Sequence, residues 1–275
     1  MKHCLRVAAL VATLLLAALA TAAPASAANP VQLALGDSWA FGFGATVPSQ
    51  GGYVPQLHTA LQEHFDCSPS PNPKPDQGCK KLELISLAVG GATTPTLIAN
   101  QLPAAENLLH ARNGNNNPRD NVEVATVHTG GNDVTGPIIA ACIASPGSPS
   151  CLATIQSEFA AYRSDLTVAL SRLRAAAGPD ARIVIGTYDN PIATCFLGQV
   201  PGAVQLAAFV LEGAPPAIPQ GLHDIMRDVG AQYGVEVAEV YGDLSPQDWL
   251  GGQDCLHPKD SGYAKVAAAF EDVLL

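Results

Sequence analysis

The chain has 275 residues, 14 of them Lys or Arg and 24 Asp or Glu, for a net charge of −10 at pH 7. An acidic balance of this size keeps a protein soluble and repels phosphate backbones. It argues against nucleic-acid binding and against docking on anionic membranes by charge.

Residues 1–27 read as an export leader. Lys2 and Arg6 give a basic start, residues 7–20 are apolar and uncharged, and Ala25-Ser26-Ala27 is a small-x-small cleavage site. The apolar run is short for a membrane span, and no later segment is long and apolar enough for one, so free export without stable membrane insertion is expected. Cys4 lies too early for a lipid-attachment cysteine. Cleavage after Ala27 leaves residues 28–275, 248 residues suited to a single domain with a sizeable core. It removes two cations and no acid, which takes the net charge from −10 to −12.

In the mature chain, Leu33-Ala34-Leu35 reads as a buried strand that ends in a tight Gly36-Asp37-Ser38 turn, with Gly42 and Gly44 close behind. Residues 53–65 carry Tyr53, Val54, Leu57 and Leu61 at helical spacing. Residues 68–77 are polar and Pro-rich, a surface loop. A short strand at 82–87 ends at Gly90-Gly91, and helices are expected at 94–102 and 104–111. After a polar turn at 113–120, a strand at 122–129 runs into Gly130-Gly131-Asn132-Asp133. The longest helical pattern is 157–177, with Phe159, Tyr162, Leu166, Leu170 and Leu173 on one face. A strand follows at 182–188. The stretch 198–220 is rich in Pro and Gly and reads either as a meandering surface loop or as a cover over a site. A helix at 221–233, a strand at 235–240 and a terminal helix at 261–274 complete the chain. Five strands alternating with helices predict an α/β fold, a three-layer α/β/α sandwich around a five-stranded parallel sheet. In that architecture sites form at the carboxyl ends of the strands.

Six cysteines remain after cleavage, an even count that suits three disulfides in an exported chain. Six cysteines allow 15 connectivities. Pairing neighbours, Cys67–Cys79, Cys142–Cys151 and Cys195–Cys255, is the simplest. There is no C-x-x-C and no histidine at ligand spacing from two cysteines, so no metal site is expected.

Ser38, Gly91 and Asn132 each fall at a predicted strand end, and Asp254-Cys255-Leu256-His257-Pro258 stands just before the last helix. The succession G-D-S, Gly90-Gly91-Ala92-Thr93-Thr94, G-G-N-D and D-x-x-H-P resembles the SGNH (GDSL-type) hydrolases, with the blocks in the same order. The resemblance spans residues 31–275. It implies a flavodoxin-like SGNH hydrolase fold and a secreted serine esterase or lipase that hydrolyses acyl esters through an acyl-enzyme intermediate. It further implies a small-molecule or lipid ester as substrate, no metal or organic cofactor, and a monomer. Ser38, His257 and Asp254 would be the catalytic triad. The Ser38 and Gly91 backbone N–H groups and the Asn132 side-chain amide would form the oxyanion hole. One departure is Gly90, which stands where many relatives carry a serine.

The residues have a physical reading beside the resemblance. A serine hydroxyl is a weak nucleophile until a base takes its proton; His257 is the base candidate, and Asp254 can turn back to orient the imidazole. Taken alone, Ser38 and Asp37 also read as a helix cap, Asn132 as an Asx-turn, and Gly90 and Gly91 as turn glycines. Asp37 is expected to cap or hydrogen-bond rather than react. His128 is expected to be packed, and His58, His64, His110 and His223 to face water. A carbohydrate O-deacetylase on the same scaffold would need aromatic sugar contacts, and the aromatic content is 5%. A non-catalytic secreted binding module would have lost Ser, His or Asn from the blocks, and none is lost. A dinucleotide fingerprint would need a third glycine after Gly42-Phe43-Gly44.

Overall fold

A computed structural model describes residues 29–65 and 81–275. The leader, the 68–77 loop and the Cys67–Cys79 pair lie outside the described residues. Among those described, five parallel strands form one sheet in the order β2-β1-β3-β4-β5. They are β1 (Val31–Gly36), β2 (Glu83–Ser86), β3 (Val122–His128), β4 (Arg182–Gly186) and β5 (Glu236–Ala238). Leu33 pairs with Ile85 on one side and Ala125 on the other, and Ala125 continues the register to Ile183. The central strands are near-continuous apolar runs because helices cover both faces of the sheet. β1 is buried at all six positions.

The edge strands are shorter than expected. The 82–87 strand contracts to Glu83–Ser86, whose two ends are exposed, and 235–240 to Glu236–Ala238. Each has one neighbour to pair with, so the ladder ends where that neighbour turns away.

Helices α1 (Ser38–Phe41), α2 (Pro48–Gly51) and α3 (Tyr53–Phe65) follow β1; α4 (Thr94–Asn100) and α5 (Leu102–Asn113) follow β2. After β3 come α6 (Gly131–Cys142) and α7 (Pro149–Ala177), after β4 α8 (Ala203–Glu212) and α9 (Leu222–Gln232), and after β5 α10 (Asp260–Leu274). α3 and α10 pack together on one face, where Tyr53 stacks on Phe270 at 4.9 Å. On the other face α7 packs against α4, α5, α6 and α9. The result is the three-layer arrangement around a parallel sheet.

Three stretches depart from expectation. Residues 131–142, left without an element, form α6. The long helix starts at Pro149 rather than 157, because Ser148 accepts the Cys151 N–H as its N-cap and Pro149 occupies the first turn. The 198–220 stretch is not all loop: the apolar run Ala203–Glu212 is a helix between Gly202 and Gly213, whose flanking turn residues masked it. Among the histidines, His128 is fully buried, while His64 and His110 are exposed. His58 is half-buried against the Gln32 side chain at 2.9 Å. His223 is a correction, since it is fully buried. On the inner face of α9 its Nε2 accepts the Tyr188 N–H at 3.1 Å and its Nδ1 bonds Glu212, so it has partners away from water.

Candidate active site

β1 ends at Gly36, where φ is +143° and an added Cβ would stand 2.3 Å from the His128 carbonyl oxygen. Only glycine lets the ends of β1 and β3 lie this close. The buried Gln101 side chain satisfies both backbone groups of Gly36, at 2.9 and 2.8 Å. Asp37 then caps α1, its Oδ1 accepting the Trp39 N–H at 2.9 Å. Its Oδ2 accepts the Tyr188 hydroxyl at 2.6 Å. Burial pushes the Asp37 carboxyl up to about 7, against the lowering pull of these two bonds. It serves as cap and hydrogen-bonder, as expected of it.

The cap sets Ser38 as the first residue of α1, where its N–H has no carbonyl within the helix to bond. Ser38 Oγ lies 2.9 Å from His257 Nε2. On the far side of the ring, Nδ1 meets Asp254 Oδ2 at 2.8 Å. Asp254 Oδ1 accepts the Leu256 and His257 N–H groups at 2.8 and 2.9 Å. Burial works to raise the Asp254 carboxyl, but the bonds from the His257 ring and from those two N–H groups outweigh it and hold it below its ordinary value. A carboxylate at Nδ1 keeps the ring proton on that side and turns the Nε2 lone pair to the serine hydroxyl. Ser38, His257 and Asp254 are thus brought into one hydrogen-bonded line.

The loop bearing that line is tied down from several directions. The Trp39 indole N–H donates to the Leu256 carbonyl at 2.9 Å, and the Leu250 N–H to the His257 carbonyl at 3.1 Å. Phe43 packs its ring 4.5 Å from that of His257. The Cys195–Cys255 disulfide fastens the loop to the chain after β4, and Cys142–Cys151 joins α6 to α7. Both are pairs of sequence neighbours among the cysteines.

At the end of β2, residues 89–92 form a turn closed by the Ala92 N–H on the Val89 carbonyl at 3.1 Å. Gly91 takes its third position with φ +79°, the left-handed backbone that favours glycine. A Cβ added at Gly90 meets nothing within 4 Å, so the departure at that position leaves the turn intact. Asn132 Nδ2 donates to the Ala92 carbonyl at 3.0 Å. Asp133 accepts the Thr94 N–H on both carboxylate oxygens, each at 3.0 Å, and the Thr94 hydroxyl at 3.2 Å. The G-G-N-D block therefore holds the G-G-A-T-T block through two adjacent side chains. Gly91 itself is exposed and is not among the residues lining the pocket beside Ser38; Asn132 is.

That pocket encloses about 1070 Å³ of free space, part of it open to solvent. It runs from Ser38 along α6 and α8, over Ile138, Ile139, Ile192, Leu197, Leu206 and Val210. The 198–220 stretch thus lines a site after all. Sequence reasoning did not single out Gln101, Asp133 or Tyr188. Asp133 was visible inside the G-G-N-D block, and Tyr188 as a polar residue at the fourth strand end. Among the described residues no group of three His, Cys, Asp or Glu side chains is arranged to hold a metal ion.

Comparison with known proteins bears on the fold and the family. The structure is similar to phospholipase A1 from Streptomyces albidoflavus NA297 at 18% identity and TM-score 0.54, with 89% of this chain and 99% of that one covered. It is similar to the lipase Lip_vut3 from a goat rumen metagenome at 15% and 0.56, covering 89% and 97%. The extracellular lipase from Streptomyces rimosus matches at 18% and 0.53, covering 88% and 99%. No curated protein gives a significant match. The model of the GDSL-like Lipase/Acylhydrolase family matches residues 34–265, a span that holds the Gly36 turn, the Asn132 helix and the His257 loop, and the chain belongs to that family.

Proposed function

We propose that this protein is an exported serine esterase that hydrolyses carboxylic esters with an extended acyl chain, lipid esters among them. The observation that carries the reading is the Ser38 Oγ–His257 Nε2 contact of 2.9 Å with Asp254 behind the ring at 2.8 Å. In the first step Ser38 Oγ attacks the ester carbonyl and passes its proton to His257 Nε2; the Asp254 carboxylate stabilises the imidazolium. The oxyanion is met by the Ser38 and Gly91 N–H groups and by the second amide hydrogen of Asn132, the first being spent on Ala92. Collapse expels the alcohol, which takes the proton from Nε2, and leaves the acyl group on Ser38. Water then attacks the acyl-enzyme with His257 as base, and the acid leaves. A donor of this kind typically contributes 10²–10³ in turnover.

The apolar wall of α6 and α8 supports an acyl chain over a sugar acetate. Each methylene buried there is worth about 0.8 kcal/mol, roughly fourfold in kcat/KM. Two disulfides suit an oxidising compartment, and the extracellular lipase from Streptomyces rimosus is a structural relative with that setting in its name.

The test is hydrolysis of p-nitrophenyl esters from acetate to palmitate by the protein and by Ser38→Ala. Expected are a kcat/KM that climbs from acetate through medium chains and a loss of at least about 10⁴-fold in Ser38→Ala. An acetate optimum returns the O-deacetylase reading. Equal inactivity of both proteins on all esters overturns the enzyme.

A further inference from the structure

The charges of this chain are unevenly distributed. None of its Lys, Arg, Asp or Glu residues falls within 38–62, 84–105, 134–157 or 190–211, four runs of 22 to 25 residues. Three of the runs begin past the carboxyl ends of β1, β3 and β4, and the second begins inside β2 and continues through the turn and helices after it. The 38–62, 134–157 and 190–211 runs all supply residues that line the Ser38 pocket. Asp37, Asp133 and Asp189, at the strand ends between these runs, are turned into hydrogen bonds. The fifth loop is the exception: residues 239–260 carry Glu239, Asp243, Asp248, Asp254 and Asp260 and one cation, Lys259, with Asp254 held against His257.

The same edge exposes large apolar side chains. Phe41, Phe43 and Phe196 are 47%, 49% and 51% exposed, and Leu250, Leu256 and Ile143 between 36% and 40%. Ile143 and Leu256 line the pocket, and Phe41, Phe43 and Phe196 stand on segments that also supply lining residues, Ser38, Trp39 and Leu197. Phe43 packs on His257, whose carbonyl accepts the Leu250 N–H. The Phe196 N–H bonds the Gly252 carbonyl beside Leu250, and Phe41 is two residues from Phe43. Half-exposed phenylalanines cost solvation in water and gain it back in an interface.

We infer that this face docks on the surface of a zwitterionic phospholipid aggregate, with Phe41, Phe43 and Phe196 entering the headgroup layer and the pocket mouth facing the acyl chains. Charge selects the partner. A surface without net charge meets a face with few charges and almost no cations, so affinity comes from apolar burial. An anionic surface is read by clusters of Lys and Arg, which the four runs lack, and it repels a chain of net charge −10. Docking rests on the acyl-ester reading only for its purpose; the contact is a property of the face.

The experiment is co-sedimentation of Ser38→Ala protein, which leaves the lipid intact, with vesicles of pure phosphatidylcholine and of phosphatidylcholine with phosphatidylglycerol. The comparison variant adds Phe41→Ser and Phe196→Ser, neither of which belongs to the catalytic line. Expected are binding to pure phosphatidylcholine that withstands high salt, weaker binding as phosphatidylglycerol is added, and a loss of about tenfold for each phenylalanine removed. On wild-type Ser38, Phe41→Ser/Phe196→Ser is expected to hydrolyse a dissolved short-chain ester at the parent rate, which shows the fold and the site to be intact. Absence of vesicle binding overturns the inference, as does binding that survives both substitutions or that grows with anionic lipid. A concentration-dependent dimer that the two substitutions dissolve also overturns it, and assigns the face to a second copy of the chain. Vesicle binding by a protein inactive on every ester would instead remove the proposed function and keep the docking face.

Discussion

The two ends of the sheet are built from the same five strands and treat charge in opposite ways. At the amino edge, ion pairs close the strand starts. Arg182 pairs with Glu236 at 2.7 Å and also donates to the Val273 and Leu274 carbonyls, while Arg112 pairs with Glu83 at 3.2 Å and lies 3.9 Å from Asp120. Apart from Asp120, which is buried, these groups stay part-exposed, where charge is well solvated and pairs contribute little. At the carboxyl edge the loops after β1 to β4 carry little charge, and the carboxylates beside the site, Asp37 buried and Asp133 and Asp254 half-buried, are hydrogen-bonded to a phenol, a ring nitrogen or backbone N–H groups. Burial makes each of them expensive unless it is bonded. Charge at the amino edge keeps the protein in solution; at the carboxyl edge it is restricted to positions that hold the site together.

The largest expected break in that comparison is at Asp254. In Asp254→Asn, Oδ1 still caps the Leu256 and His257 N–H groups, so the loop keeps its shape. The amide nitrogen facing Nδ1 favours the wrong imidazole tautomer. Turnover of a p-nitrophenyl ester is expected to fall about 10⁴-fold with the melting temperature little changed. A drop of less than tenfold would mean that another group orients the ring.

Asp37 sharpens the comparison through pH. Its folded pKa of about 7 lies above the ordinary carboxyl value of 3.8, so the folded protein holds this proton more tightly than the unfolded chain does. The stability it contributes is complete below 3.8 and is lost as pH rises through 7. Asp37→Asn keeps the cap on Trp39 and removes the titration. Urea unfolding of the two proteins should therefore show the variant gaining on the parent between pH 4 and 8, by on the order of 4 kcal/mol, and no further above that. A constant difference across that range would mean that Asp37 ionises in the fold as readily as in the unfolded chain, and that burial does not raise its pKa.

Glu236→Gln, at the amino edge, is expected to do least. It breaks the bidentate pair with Arg182, costs less than about 1 kcal/mol in urea unfolding, and leaves ester turnover at the parent value. A loss of activity there would end the division of labour between the edges.

Much of this was readable from local signals. The apolar runs of β1, β3 and β4, the helical period of residues 53–65, and the glycine turns at 36, 91 and 130 depend on neighbours in the chain. Ser38, Asn132, Asp254 and His257 were found because each stands in a short block at an element end. The structure brings Ser38, His257 and Asp254 into one line and binds the Asn132 block to the Gly91 turn. Where reading failed, a local signal pointed one way and distant contacts another. α8 hid between turn-forming residues at 198–202 and 213–220, and α7 starts eight residues early because of one serine cap and a proline. His223 looked solvent-facing on its helix, yet it is buried because Tyr188 and Glu212, 35 and 11 residues away, supply its bonds.

The sequence by itself determined the alternation of strands and helices and the order of the chemical blocks. These rest on periodicity, turn chemistry and spacing along the chain. Only the tertiary structure decided which of the described cysteines pair, that Asp133 and Asn132 hold the Gly91 turn, that Tyr188 supports Asp37, and that three uncharged runs meet around an apolar pocket. Apart from the Cys142–Cys151 pair, each of those joins elements far apart in sequence, and such contacts form only once the parallel sheet has brought the carboxyl ends of its strands together.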